Sequence, residues 1–230
     1  MSEAIVIERR YRGPPDSGNG GYTCGIVAAL VRSDAEVTLR LPPPLETPLR
    51  VERDGENVRV LERDALVAEA RPSGVEVEPP EPIAFAVAAE RSAAQADDPR
   101  HPFPSCFVCG PGREPGDALR LKPAAVGGDR IVAPWIPTED QAGRPELVWA
   151  ALDCPGAFAI DLNFGRGVSV LGRLAAHVAA TPRAGEECVI VGWPLGGDER
   201  RKRFAGTALF GQDGRLIGLG RATWLLIEPR

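Results

Sequence analysis

An α+β fold with an internal repeat is what this sequence predicts. Three observations predict it. One order of elements occurs twice: a strand, an apolar helix, then a run of antiparallel strands. The strand-like runs are joined by turn signals such as Asp54-Gly55 and Gly211-Gln212-Asp213-Gly214. The two helices are apolar and small-sided on almost every face, so each must be buried against a sheet. A chain of 230 residues has room for two such units, each with a core.

The first copy, residues 1–78, opens with a strand-like run from Ala4 to Arg12. Asn19–Val31 follows as a helix that Gly20-Gly21 opens. Ala35–Leu41, Leu49–Leu61 and Ala65–Pro72 then read as strands, the middle run folded back at Asp54-Gly55. Residues 79–105 form a linker edged by prolines, and its Ala-rich centre, Ile83–Ala96, predicts a short connecting helix. The second copy, residues 106–230, starts with strands around Gly127-Gly128-Asp129 within Ala118–Pro137. The helix Glu146–Ile160 comes next, and then four strand-like runs: Val168–Ala180, Glu186–Trp193, Arg201–Phe210 and Arg215–Ile227.

Composition removes several function classes. The net charge of −5 lacks the basic excess that phosphate contacts need, so no nucleic-acid partner is expected. The opening MSEAIVIERR has no signal-peptide core and no apolar run is long enough for a membrane helix, so neither secretion nor a membrane partner is expected. Five scattered cysteines do not make a disulfide framework and fit a reducing, cytoplasmic compartment. The two histidines, His101 and His177, leave little for His-based acid–base or zinc chemistry.

Asp153 is the anomaly. It interrupts a helix otherwise built for burial, with Trp149, Ala150, Gly156 and Ala157 as its helical neighbours. Burial there predicts a carboxyl whose pKa is raised. Pro155 has no N–H for the Ala151 carbonyl, so the helix is expected to bend at this place. A buried Asp with no partner is costly, so it either anchors a hydrogen bond in the core or does chemistry.

The stretch Leu147–Ala159 resembles the central helix of hotdog-fold acyl-CoA thioesterases, Phe204–Leu226 is similar to the closing hairpin of that superfamily, and Gly18–Leu30 resembles the first-repeat helix of its double-hotdog members. The resemblance implies a tandem (double) hotdog, each half a central helix wrapped by a curled antiparallel sheet. It also implies hydrolysis of an acyl-CoA or a related acyl thioester, with no cofactor beyond the coenzyme A of the substrate. A non-catalytic acyl-binding protein is the alternative, and a hotdog hydratase or dehydratase a weaker one, since His177 has no carboxylate at a matching motif spacing. In the phenylacetate-pathway type, a glycine pair opens the helix and an Asp follows two turns on. Here the two features are split: Gly20-Gly21 stand in the first copy, where Ala28 or Val31 takes the Asp position, and Asp153 stands in the second, whose helix opens with Pro145-Glu146. Paired hotdogs build their sites at the interface, so one complete site is expected.

In that site Asp153 is the expected general base or nucleophile, and the amides at Gly20 and Gly21 the expected oxyanion donors. Asn19, Tyr22 and Trp149 complete the expected substrate contacts. Asp161, in an Asp-Leu-Asn-Phe run similar to that of type II acyl-CoA thioesterases, is the reserve catalytic candidate, although the partner positions offer only Ala222 or Thr223 and the run also reads as a cap or turn after the helix. Arg201 and Arg203, in the basic run after Gly196-Gly197, are candidates for the phosphates of coenzyme A. Cys106-Phe107-Val108-Cys109 is a single Cys-x-x-Cys with no second pair, and Cys24, Cys154 and Cys188 stand isolated in sequence, so no metal is expected. A homodimer of double hotdogs is a further expected partner arrangement.

Overall fold

The structure, a computed structural model, describes residues 3–31, 33–97, 101–164, 168–197 and 201–227. Its strands are β1 (Ala4–Ile5), β2 (Ala35–Leu39), β3 (Leu49–Asp54), β4 (Asn57–Glu62), β5 (Ala65–Pro72), β6 (Ala124–Gly127), β7 (Arg130–Trp135), β8 (Val168–Val178), β9 (Cys188–Gly197), β10 (Lys202–Phe210) and β11 (Leu216–Ile227). Its α-helices are α1 (Gly20–Ala28), α2 (Phe85–Ala94), α3 (Pro145–Ala151) and α4 (Cys154–Phe164). The strands form one antiparallel sheet in the order β1-β3-β4-β5-β2-β8-β11-β10-β9-β7-β6. Each half was expected to carry a sheet of its own. Instead β2 pairs with β8, placing Ala35 opposite Ala176 and Val37 opposite Leu174, and the two sets of strands run on as one sheet. The Arg173 guanidinium donates to Thr38 across this seam.

Most predicted strands lie where alternation and turn residues put them. Gly55 and Gly214 adopt positive φ at the two hairpin turns, which L side chains disfavour. Two runs are exceptions: Ala118–Pro123, expected as strand, is irregular, and the first run joins the sheet only at its start. Only Ala4 and Ile5 join the sheet, and Arg9–Tyr11 winds into a 3-10 turn. Glu8, Arg9 and Arg10 offer no apolar residue to a core-facing position, so alternation stops there.

The central helices lie on one face of the sheet. α1 packs on α3 and on β2, β5 and β8, while α4 packs on β7, β9 and β10. On β9, Ile190 belongs to this main core, and its neighbours Val189 and Val191 point the other way into a second cluster with Ala88 of α2. The linker thus supplies a short helix that covers the outer face of the second half. The outer face of the first half stays polar. A groove of about 410 Å³ there is lined by Glu36, Thr38, Arg59, Glu69, Arg71 and Arg173 among others, which is no surface for an acyl chain. Among the described residues no helix is long and apolar enough to cross a membrane.

The helix predicted over Glu146–Ile160 is two helices. α3 ends at Ala151, and α4 starts at Cys154 with Pro155 in its first turn, where a missing N–H costs nothing. The Gly156 amide donates to the Asp153 carbonyl rather than to that of Leu152. The freed Leu152 carbonyl accepts from the buried Thr207 hydroxyl of β10 at 2.8 Å. Thr207→Val keeps the shape and leaves that acceptor unpaired, so it is expected to cost about 1–3 kcal/mol in urea unfolding. An unchanged midpoint would show that the bond carries no weight.

Candidate functional site

The break between α3 and α4 delivers Asp153 to the start of α1. Asn19 caps α1, its side-chain oxygen accepting from the Tyr22 amide at 2.8 Å. Asp153 Oδ2 accepts from the Gly21 amide at 2.9 Å and from Asn19 Nδ2 at 2.9 Å. A helix start favours an anion, since its first amides point outward with the positive end of the dipole. Asp153 is only 2% exposed, and its other oxygen, Oδ1, is buried with no hydrogen-bond partner among the described residues. Burial pushes its pKa up to about 7, against the pull of the Gly21 amide and the Asn19 side chain.

Gly21 has a different task from the expected one. A Cβ there would collide with the Asp153 Cβ and come to 2.7 Å from the Trp149 carbonyl oxygen. At Gly25, one turn on, a Cβ would come to 2.7 Å from Glu146 Cα. The two glycines therefore let α1 and α3 touch backbone to backbone. The Gly21 amide is occupied by Asp153, so it orients a carboxylate and is no vacant oxyanion donor. Gly20 is closed off by Leu171, whose Cβ would be 2.8 Å from an added Cβ.

Tyr22 and Trp149 were expected at the substrate and are instead core residues, each 5% exposed. Tyr22 stacks on Tyr11 with ring centroids 3.8 Å apart and meets Phe107 edge-on. Asp161 does not end its helix. α4 continues to Phe164, which puts Asp161 inside it, about 12 Å from Asp153 by helical rise. Arg201 and Arg203 flank the first residue of β10, and the Arg201 carbonyl accepts from the Leu226 amide. The rest of that basic turn, residues 198–200, lies outside the described residues. His177 does have a carboxylate, which no local motif reveals: Asp34, 2.8 Å from Nδ1 across the β2–β8 seam. Both side chains are more than two-fifths exposed, so the pair sits at the surface and not in the helix layer.

A feature that sequence reading missed lies beside Asp153. Cys154, isolated in sequence, has its Sγ 3.8 Å from that of Cys106. With Cys109 they form a group whose sulfurs all lie within 4.8 Å of one another. Asn19 Nδ2 links the two clusters, standing 2.9 Å from Asp153 Oδ2 and 3.7 Å from Cys106 Sγ. Hydrogen bonds from Cys109 and Cys154 hold the Cys106 thiol well below its ordinary value. The only sequence signal was indirect: Asp153 and Cys154 are adjacent, and a site for one is a site for both.

No family model matches the chain, and no curated protein matches it in sequence. Solved structures do match along nearly the whole length. A candidate thioesterase from Novosphingobium aromaticivorans is 15% identical with a TM-score of 0.63, over 97% of this chain and 94% of that one. A conserved hot dog protein of unknown function from Alicyclobacillus acidocaldarius is 12% identical with a TM-score of 0.61, over 99% and 93%. The TesB protein of Mycobacterium avium subs paratuberculosis is 14% identical with a TM-score of 0.57, over 93% and 89%. At these identities the likeness speaks for architecture and not for activity. The chain has the hotdog fold of thioesterase-like proteins.

Proposed function

We propose that the chain is a double hotdog that hydrolyses an acyl-CoA or related acyl thioester, with Asp153 at its reacting centre. The observation that carries this reading is the Asp153 carboxylate: buried, fixed through Oδ2 by two donors, and with Oδ1 given no partner by the described residues. A structural anchor would have both oxygens satisfied, since each lone buried polar atom costs about 1–3 kcal/mol. Oδ1 is the atom free to take a proton from water or to attack the thioester carbonyl. The Gly21 amide and the start of α1 hold the carboxylate in place, and Arg201 and Arg203 are the proposed contacts for phosphate. The repeat boundaries proposed are residues 1–78, 79–105 and 106–230. Likeness along nearly the whole length to two-unit-sized chains such as that from Novosphingobium aromaticivorans supports the architecture in this reading. The five free cysteines fit a cytoplasmic setting.

Release of free thiol from a panel of acyl-CoA chain lengths tests this. Turnover with at least one member is expected. Binding without turnover across the panel would turn the assignment to a non-catalytic acyl-CoA carrier.

The two ends of the α1–α3 pair are unlike. Opposite Asp153 stands the start of α1. At the other end the start of α3 carries Glu146, paired with Arg144 at 2.8 Å, while Ala28 and Val31 at the end of α1 are buried and apolar. Titration calorimetry with a non-hydrolysable acyl-CoA analogue should therefore give a stoichiometry near one per chain, and a value near two would refute the pairing.

A further inference from the structure

We propose that Cys106, Cys109 and Cys154 bind a thiophilic divalent metal, zinc by its chemistry, through three thiolates with a fourth position left to water. Zinc bound by sulfur at about 2.3 Å in a tetrahedron sets its sulfurs about 3.8 Å apart. Cys106 and Cys154 stand at 3.8 Å, and the third sulfur lies within 4.8 Å of both. A disulfide would need the first pair near 2.05 Å, and all five cysteines are free.

The backbone around Cys106 is shaped for a thiolate. The Val108 amide donates to its sulfur at 3.4 Å, and the Gly110 amide donates to its carbonyl at 2.9 Å. Gly110 admits no side chain, because a Cβ would sit 2.5 Å from the Cys106 nitrogen, the Cys106 oxygen and the Pro104 oxygen. Asn19 Nδ2 adds a further donor at 3.7 Å. Amides aimed at a ligating sulfur are the outer shell that orients metal ligands. The third ligand comes from a distant element, as the first residue of α4. It would tie the helix break to residues 101–123, a segment with neither helix nor strand that nonetheless buries Phe107, Val108 and Leu121.

Among the described residues no imidazole or carboxylate completes the group within the same radius. Three protein ligands and one open position is the pattern of a reactive site rather than a closed structural one. Loading releases the three thiol protons and involves no change of oxidation state. The expectation of no metal rested on the lack of a second cysteine pair, and the fold brings one further sulfur, that of Cys154, to the first pair. The proposal does not depend on thioester hydrolysis.

Cobalt(II) chloride titrated into the chelator-treated, reduced full chain is the test. A sulfur-to-cobalt charge-transfer band with tetrahedral d–d bands is expected, saturating near one cobalt per chain and abolished by zinc(II). Cys106→Ser and Cys154→Ser should weaken it at least about tenfold, and Cys24→Ser should not. Should the serine variants misfold, alkylation of the unaltered chain gives the answer: zinc(II) should protect Cys106, Cys109 and Cys154, as read by peptide mass. No cobalt band, a band unchanged in a folded Cys154→Ser, or equal alkylation with and without zinc(II) would each overturn the site.

Discussion

Asp153→Asn is expected to lower thioester turnover by about 10²-fold or more while the protein stays folded. The amide oxygen of Asn can still accept from the Gly21 amide and from Asn19, the two donors that fix Oδ2. What it lacks is the ability to take a proton or to attack a carbonyl. Because a charge leaves a buried place, stability should change by no more than about 1 kcal/mol. Thiol release on the best acyl-CoA of the panel, with urea unfolding beside it, separates chemistry from fold. Full turnover in a folded Asp153→Asn would remove Asp153 from the mechanism and bring Asp161 forward.

Gly21→Val should act the other way, on the fold first. Its branched side chain would drive into the Trp149 carbonyl and into Asp153, and a backbone oxygen cannot swing aside as a side chain can. Relief requires moving α3 off α1, so the expected loss is about 3 kcal/mol or more in the unfolding free energy, beyond ordinary overpacking. Activity should fall with it, because the same shift takes Asp153 away from the Gly21 amide. Gly21→Ala should show the same defect in milder form. A Gly21→Val protein with an unchanged midpoint would mean that the two helices do not pack this closely.

The split between legible and hidden follows from range. Strands announced themselves through alternation and through Gly55 and Gly214, whose turns are local. Pro155 foretold a bend at this place, though not the full break, by a rule spanning four residues, and Asp153 stood out against its apolar neighbours for the same reason. Most misreadings at the site are long-range, whereas Arg9–Tyr11 and the helix end beyond Asp161 were misread locally. The importance of Gly21 was visible, but not its cause, since the atoms that forbid a side chain there lie more than a hundred residues away. Cys154 looked solitary because its partner is 48 positions off, and His177 because Asp34 is 143 off. Tyr22 and Trp149 show the converse limit. An aromatic beside a site looks the same in sequence whether it faces the ligand or the core.

The seam between β2 and β8 has a meaning for the chain as it is being made. β2 ends at Leu39 and β8 begins at Val168, so about 130 residues must be synthesised before the edge of β2 finds its mate. At about 5–20 residues per second the ribosome takes roughly 6–26 s over that interval. Throughout it the first half carries an open strand whose row of N–H and C=O groups can template a neighbour, even when β5 already protects its other side. Two nascent chains on one message could join through that edge in each other's place. Joining both halves in one chain makes the correct partner always near, but it also makes that partner late.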